Sequence, residues 1–195
     1  MKKLMGIVFL TALVFAFQMA SFGEAKVIYD FEDGLQGWEI PDWAFEQDDY
    51  VGETIEASKD AASSGKQSLK LVSNFPGGSW KGSICEVMEY MDWTPYKTIS
   101  ADLYLPPDAP VGLRAKLVLT VGDDWTWTEM SKSVKIEPGK WTTISGNLLP
   151  GSTDWKKTNP TDEFRADVRK IDVRVESNKK PAYQGPVYID NIRVE

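Results

Sequence analysis

Short runs with two-residue alternation recur along the chain from Lys26 onward, separated by Gly, Pro, Asn and Asp. Lys26–Phe31 opens the series. Within Ser68–Val72, Leu69 and Leu71 share a face. Ile99, Ala101, Leu103 and Leu105 share another, and Pro106-Pro107 stops that run. Leu117, Leu119 and Val121 form a third stripe. Ser133–Ile136 leads into the turn Glu137-Pro138-Gly139-Lys140, and Trp141–Ile144 follows at once. Ile171, Val173 and Val175 alternate with Asp172, Arg174 and Glu176, and Val187–Val194 closes the chain. Alternation of this kind marks strands buried on one face. Only Thr161–Ala166 reads as a helical turn. Many short strands at such spacing predict an all-β, antiparallel two-sheet β-sandwich of the jelly-roll type. In that fold the first and last strands can lie side by side.

The last strand carries one irregularity. Val187 and Ile189 are in one phase, Ile192 and Val194 in the other. A slip at Asp190-Asn191 predicts a bulge, and bulges re-aim side chains. Asp190 is thereby singled out as a residue turned inward.

The N-terminus has a different pattern. Lys2 and Lys3 precede an apolar run from Leu4 to Phe17, and small residues follow at Ala20, Ser21, Gly23 and Ala25. This is the layout of a secretory signal peptide, too short for a comfortable membrane span. Cleavage after Gly23 or after Ala25 fits the small-residue requirement. Residues 1–25 are therefore expected to be a signal, and 26–195 one secreted domain, extracellular or periplasmic. A retained anchor is the alternative reading. The remaining length suits one domain with a proper core.

Charge and chemistry narrow the partners. The formal net charge is −7 with no basic cluster, which argues against nucleic acid or an anionic membrane. A neutral ligand fits better. The absence of histidine excludes a Ser-His-Asp or Cys-His site and His-ligated zinc. The single cysteine, Cys85, lies between Ile84 and Val87 and reads as a buried, inert thiol.

Eight tryptophans exceed what a core of this size needs. Indole faces stack on the C–H patches of pyranose rings, so the surplus points to a sugar-binding surface. Trp80, after Pro76-Gly77-Gly78-Ser79, is placed for exposure. Trp125 and Trp127 flank Thr126 and, as i and i+2 of a strand start, face one side. Trp38 and Trp43 bracket Glu39-Ile40-Pro41-Asp42, and either one can lid the core. Trp93 and Trp141 read as packing residues; the polar loop around Trp155 decides nothing.

The acids admit a second chemistry. Asp30, Glu32 and Asp33 end the first strand, and Asp190 joins them if the first and last strands are neighbours. The loop Ala62-Ser63-Ser64-Gly65-Lys66 can add backbone carbonyls. Hard oxygen ligands of this type suit calcium, here in a structural role that pins the termini. A glycosidase needs an acid and a base across one bond, but no Asp or Glu here lies in a recognisable catalytic motif.

Several segments resemble calcium-containing jelly-roll carbohydrate-binding modules. Tyr29-Asp30-Phe31-Glu32-Asp33-Gly34 with Gly37-Trp38 resembles their opening. Tyr183 to Val194 resembles their last strand. Gly78-Ser79-Trp80, Ile99 to Pro106 and Arg114 to Trp125 resemble the mannan-binding modules of family 27. The resemblance implies a platform of three aromatics, Trp38, Trp80 and Trp125, with Trp43 as an alternative to Trp38 and with Trp127 and Trp155 as additions. It implies a structural calcium on Glu32 or Asp30 and Asp190, and a β-mannan or galactomannan ligand. The expected function is therefore a non-catalytic, secreted, monomeric polysaccharide binder that works alone or beside secreted glycoside hydrolases. The expected site is Trp38, Trp43, Trp80, Trp125 and Trp127, and the expected metal ligands are Asp30, Glu32 and Asp190. The rival readings are a small glycan-degrading enzyme on the same scaffold, a binder of β-glucan or xylan, and an adhesion subunit whose tryptophans bury into a protein partner.

Overall fold

The structure is a computed structural model and describes residues 25–177 and 181–195. Residues 1–24, which carry the expected signal peptide, lie outside that range. Among the described residues no helix is long and apolar enough to cross a membrane. The strands are β1 (Lys26–Tyr29), β2 (Gly52–Ser58), β3 (Ser68–Pro76), β4 (Gly82–Met91), β5 (Thr98–Tyr104), β6 (Arg114–Val121), β7 (Thr126–Met130), β8 (Val134–Lys135), β9 (Trp141–Asn147), β10 (Trp155–Lys156), β11 (Val168–Glu176) and β12 (Ala182–Val194). Among the described residues the one α-helix, α1 (Asp162–Ala166), starts where the sequence places it. Thr161 caps it by accepting the Phe164 N–H.

Two six-stranded sheets face each other. The first runs β2-β3-β12-β5-β9, with β1 also paired to β12; the second runs β10-β7-β6-β11-β4, with β8 paired to β6. All pairings are antiparallel. This is the expected jelly-roll sandwich. The apolar phase of each strand supplies the core: Leu69, Leu71, Ile99, Leu103, Leu117, Leu119, Ile171, Val173 and Val175 are all fully buried between the sheets. Cys85 is buried with them, and that burial pushes its thiol up out of the reactive range.

The opposite phase faces outward, and the two outer faces are used differently. On the first sheet, β1 pairs with β12, as the jelly-roll reading requires. The register of β12 against β5 slips between Asp190 and Arg193, which is the bulge the sequence phase predicts. Asn191 takes a positive φ of 49° there. Asp190 faces Asp102 across the strand pair, beneath the 60–66 loop.

Trp38 departs from the sequence reading. It is 2% exposed and packs edge-on to Tyr29 and Phe31 in the core, so it offers no face to a ligand. The backbone explains why. Residues at 39 and 86 exchange both N–H···O bonds at 2.9 Å, which holds this segment against the edge of β4 and turns Trp38 inward. Trp93 is buried, as expected of a packing residue. Trp155 is buried too: it lies against Gly146, where a Cβ would come within 2.5 Å of its ring, and it donates to the Asn147 carbonyl at 2.8 Å. Trp141 is half-buried and leans on Tyr104, 5.3 Å between centroids.

Candidate functional site

The outer face of the second sheet is set by the polar phase of its strands. Glu86 on β4, Lys170, Asp172 and Arg174 on β11, Lys116 on β6, and Trp127 and Glu129 on β7 all point away from the core. Their charges alternate and mostly pair. Glu129 meets Lys116 at 3.4 Å, Lys156 at 3.5 Å and the Arg174 guanidinium; Lys170 meets Glu86 at 2.7 Å. Burial pushes the Glu129 carboxyl up, but Arg174 and Lys116 outweigh it and hold it below the ordinary range. Asp172 has such help from Lys170 and Arg174, but too little. It is 0% exposed, and neither of its carboxylate oxygens has a partner. Burial, and then the neighbouring Glu86, hold its carboxyl well above the ordinary value. Both carboxyls are buried in the floor.

A segment pinned at both ends crosses this face. It leaves β4 at Glu39 and returns where Val51 donates to the Gly82 carbonyl at 2.9 Å. Between them the 3-10 turn Asp42–Glu46 buries Ala44 and leaves Trp43 39% exposed. Trp43 meets Trp127 of β7 edge-to-face at 6.2 Å. Trp80 arrives from the other side, after Gly77 and Gly78, which take φ of 77° and 76°. It lies over Gly82, where a Cβ would come within 3.2 Å of the ring. The Arg174 guanidinium sits 5.8 Å from the Trp80 centroid.

Together these form an open groove of about 310 Å³ walled by Trp43, Trp80, Trp127 and Tyr50, with Gln47, Asp49, Lys157 and Arg174 supplying hydrogen-bonding groups. Flat apolar walls with a few polar groups at the edge suit a ligand that carries both C–H faces and hydroxyls. Of the five tryptophans expected at the site, the groove gathers Trp43, Trp80 and Trp127. Trp38 lies in the core. Trp125 is exposed but faces another way, toward Tyr90. Tyr50, Lys157 and Arg174 were not anticipated. Only Arg174 had a signal, since it lies in the outward phase of the Ile171–Glu176 alternation.

The acids at the strand ends act on a loop. Asp190 Oδ2 accepts the N–H groups of Ser63 at 2.7 Å and Ser64 at 3.0 Å, and its Oδ1 accepts that of Asn191 at 2.7 Å. Glu32 Oε1 accepts the N–H groups of Lys66 at 2.7 Å and Gln67 at 2.8 Å. Gly65 sits where a Cβ would come within 2.5 Å of that carboxylate. Asp30 instead organises its own turn, accepting from the Glu32 N–H and from Gln36. Among the described residues no three His, Cys, Asp or Glu side chains gather as metal ligands, so Asp30, Glu32 and Asp190 do not close into one carboxylate cluster. Asp190 remains short of positive charge. Its carboxyl is raised by burial in spite of its backbone donors, with Asp102 adding to the rise. In that respect the site fits a hard cation.

A two-sheet jelly roll with an aromatic groove on one outer face is a ligand-binding module. The chain belongs to the family described as mannanase, galactose-binding domain-like, whose model matches residues 29–191. No curated protein matches it. A family 27 carbohydrate-binding module from Caldicellulosiruptor saccharolyticus, solved with mannohexaose, is similar in structure: TM-score 0.62, 22% identity, covering 88% of this chain and 97% of that one. A module specific for non-crystalline cellulose aligns with a TM-score of 0.65 and 19% identity, over 89% and 95% of the two chains. The mannan-recognising module TmCBM27 aligns with a TM-score of 0.52 and 16% identity, over 88% and 94%. At these identities the likeness shows the fold.

Proposed function

We propose that this protein is a secreted, non-catalytic polysaccharide-binding module that holds a β-mannan-type chain in the groove of Trp43, Trp80 and Trp127. The observation that carries this is the convergence of three indole rings from separate segments onto one outer face, beside Arg174, Lys157 and Gln47. Sugar rings stack on the indoles, and the polar groups take the hydroxyls. Membership in a mannanase-associated family supports mannan over other β-glycans. An affinity between micromolar and millimolar, roughly −8 to −4 kcal/mol, is expected. Affinity electrophoresis against mannan, xylan and β-glucan tests the reading: mannan should retard the protein most. Migration unaffected by every glycan would end it. Asp172, whose carboxyl burial raises, and its neighbour Glu86 are both buried under this face, which supports binding without cleavage. Reducing-end assays on the same glycans should therefore show no product.

We propose also that a structural calcium lies against the 62–66 loop, held by Asp190 and Glu32, with backbone carbonyls supplying further oxygens. The charge deficit at Asp190 supports it. Bound there, the ion would tie the loop to β12 and the first strand.

A further inference from the structure

Most open edges of the two sheets are guarded against a further strand. β1 is four residues long and begins with Lys26. β2 carries Glu53 and Glu56. The 39–51 segment covers β4 along residues 82–86, and β8 and β10 are two residues each. Short, charged or covered edges resist pairing with another chain. β9 is the exception. It ends its sheet beyond β5, runs for seven residues, and holds neither a charge nor a proline.

The backbone of β9 is open on its far side. The Leu148 N–H donates to the Lys97 carbonyl at 2.7 Å, and the register runs from Thr98 opposite Asn147 to Tyr104 opposite Trp141. Antiparallel pairs alternate between bonded and unbonded. Gly146, Ile144 and Thr142 therefore bond to β5, while Asn147, Ser145, Thr143 and Trp141 turn their N–H and C=O groups outward. Asn147 agrees with this phase: Asp154 accepts its N–H at 3.0 Å, and the Trp155 indole donates to its carbonyl at 2.8 Å. No strand pairs with the outward groups of Ser145, Thr143 and Trp141. Thr143 and Ser145 are exposed, and a cavity of about 240 Å³ opens beside Ser145, lined by Lys132, Val134, Thr153 and Asp154 among others.

We infer that β9 pairs antiparallel with β9 of a second copy of this chain, so that the two first sheets join into one across a two-fold axis at Thr143. The strand complements itself. In this register Thr143 lies opposite its own counterpart and Trp141 opposite Ser145, so every open backbone group finds a partner. A two-fold at Ile144 would instead set Trp141 against Asn147, whose groups are already taken. No like charges meet along the seam, and threonine pairs suit adjacent strands. Lys140, one residue before the strand, falls opposite Gly146 of the other copy, beside the Asn147 that Asp154 holds. Opposite charges thus meet at both ends of the seam, which favours this face for contact between copies of net charge −7. A two-fold dimer replaces the monomer expected from the sequence. The inference stands apart from the glycan reading, because the groove lies on the other sheet.

Light scattering over a wide range of protein concentration, with crosslinking at the top of that range, tests this. Wild-type mass should rise toward twice the monomer. Ser145→Pro removes an outward N–H that β5 does not use, and should stay monomeric. Lys140→Glu, on an exposed turn that the fold does not depend on, should weaken the dimer roughly five- to tenfold. Melting curves confirm that both variants fold. Thr143→Cys should form a disulfide dimer on oxidation, since Cα atoms of a bonded pair lie about 5.5 Å apart, within disulfide reach. Glu53→Cys on the guarded β2 should not, and buried Cys85 stays out of the reaction. A wild type that remains monomeric throughout would overturn the second copy as the occupant of this edge. So would a dimer that Ser145→Pro leaves intact, or equal crosslinking of the two cysteine variants.

Discussion

The two outer faces of the sandwich share one core and one strand grammar, yet solve opposite problems. On the first sheet, β12 and β5 carry Asp190, Asp102 and Ser100, and the chain covers them itself, while Thr143 and Ser145 of β9 stand exposed at the edge. Asp102 accepts from Thr143 at 2.7 Å, from Ser63 and Asn191 at 2.9 Å each, and pairs with Arg193 at 3.2 Å. Burial pushes its carboxyl up, but those partners bring it below the ordinary value. Around Asp102 the face is closed, and its side chains satisfy one another. On the second sheet the polar residues form a floor with Asp172 left unpaired, and indoles stand over it with free faces. A buried polar group without a partner and a cluster of large rings left open to solvent are both costly or wasteful to folding. Their coincidence on one face separates the binding surface from the structural one.

The sharpest test of that division uses tryptophans of one chain segment. Trp38 and Trp43 are separated by a single 3-10 turn entry, yet one belongs to the core and the other to the groove. Trp38→Ala should destabilise the protein by about 3–5 kcal/mol, the usual cost of deleting a buried indole. Its Nε1 has no partner, so the loss is one of packing rather than of hydrogen bonding. Trp43→Ala should change stability little and weaken mannan binding by roughly tenfold or more. Urea unfolding and affinity electrophoresis on both variants give the comparison. If Trp43→Ala unfolds as readily as Trp38→Ala, the groove tryptophan is a packing residue.

The closed face has its own test. Asp190→Ala removes the buried acceptor that holds the N–H groups of Ser63 and Ser64 in the loop and of Asn191 in the strand. A loss of about 2–3 kcal/mol is expected, which for a domain of this size lowers Tm by roughly 4–12 °C. Glycan binding by the folded protein should persist, because the groove lies on the other sheet. Chelation should lower Tm in wild type and have no effect in Asp190→Ala. An unchanged wild-type Tm on chelation would argue against the calcium.

The fold was legible because its signal is local. Leu117, Leu119 and Val121, or Ile171, Val173 and Val175, announce their face by alternation alone, and the phase slip at Asp190-Asn191 announces the bulge. The site was legible only in part, because its signal is tertiary. Alternation cannot say whether Trp38 or Trp43 turns inward; the bridge between Glu39 and Glu86 decides that, and its partner is distant in sequence. Trp125 and Trp127 share a side by strand spacing, but the strand begins at Thr126, and the positive φ at Trp125 sends its ring to Tyr90 instead. Asp30, Glu32 and Asp190 were grouped by strand order. The structure divides them by which backbone N–H groups each one reaches.

The smallest expected effect probes the floor of the open face. A carboxyl raised in the native state supports folding fully when protonated, below the ordinary value of 3.8, and loses that support as pH rises through its raised native value. Asp172 therefore weighs against stability on the neutral side. Glu129 has the opposite sign: lowered in the native state, it contributes above the ordinary 4.5 and is lost as pH falls. Asp172→Asn removes the first effect and leaves the second. The amide has the same shape and can donate to Glu86 Oε2, which lacks a partner. The variant should gain about 1 kcal/mol near neutral pH, and the gain should vanish below the carboxylate range. Urea unfolding across that range measures the difference. A loss of stability at neutral pH would mean that Asp172 is ionised and well held, and that the two outer faces are equally satisfied.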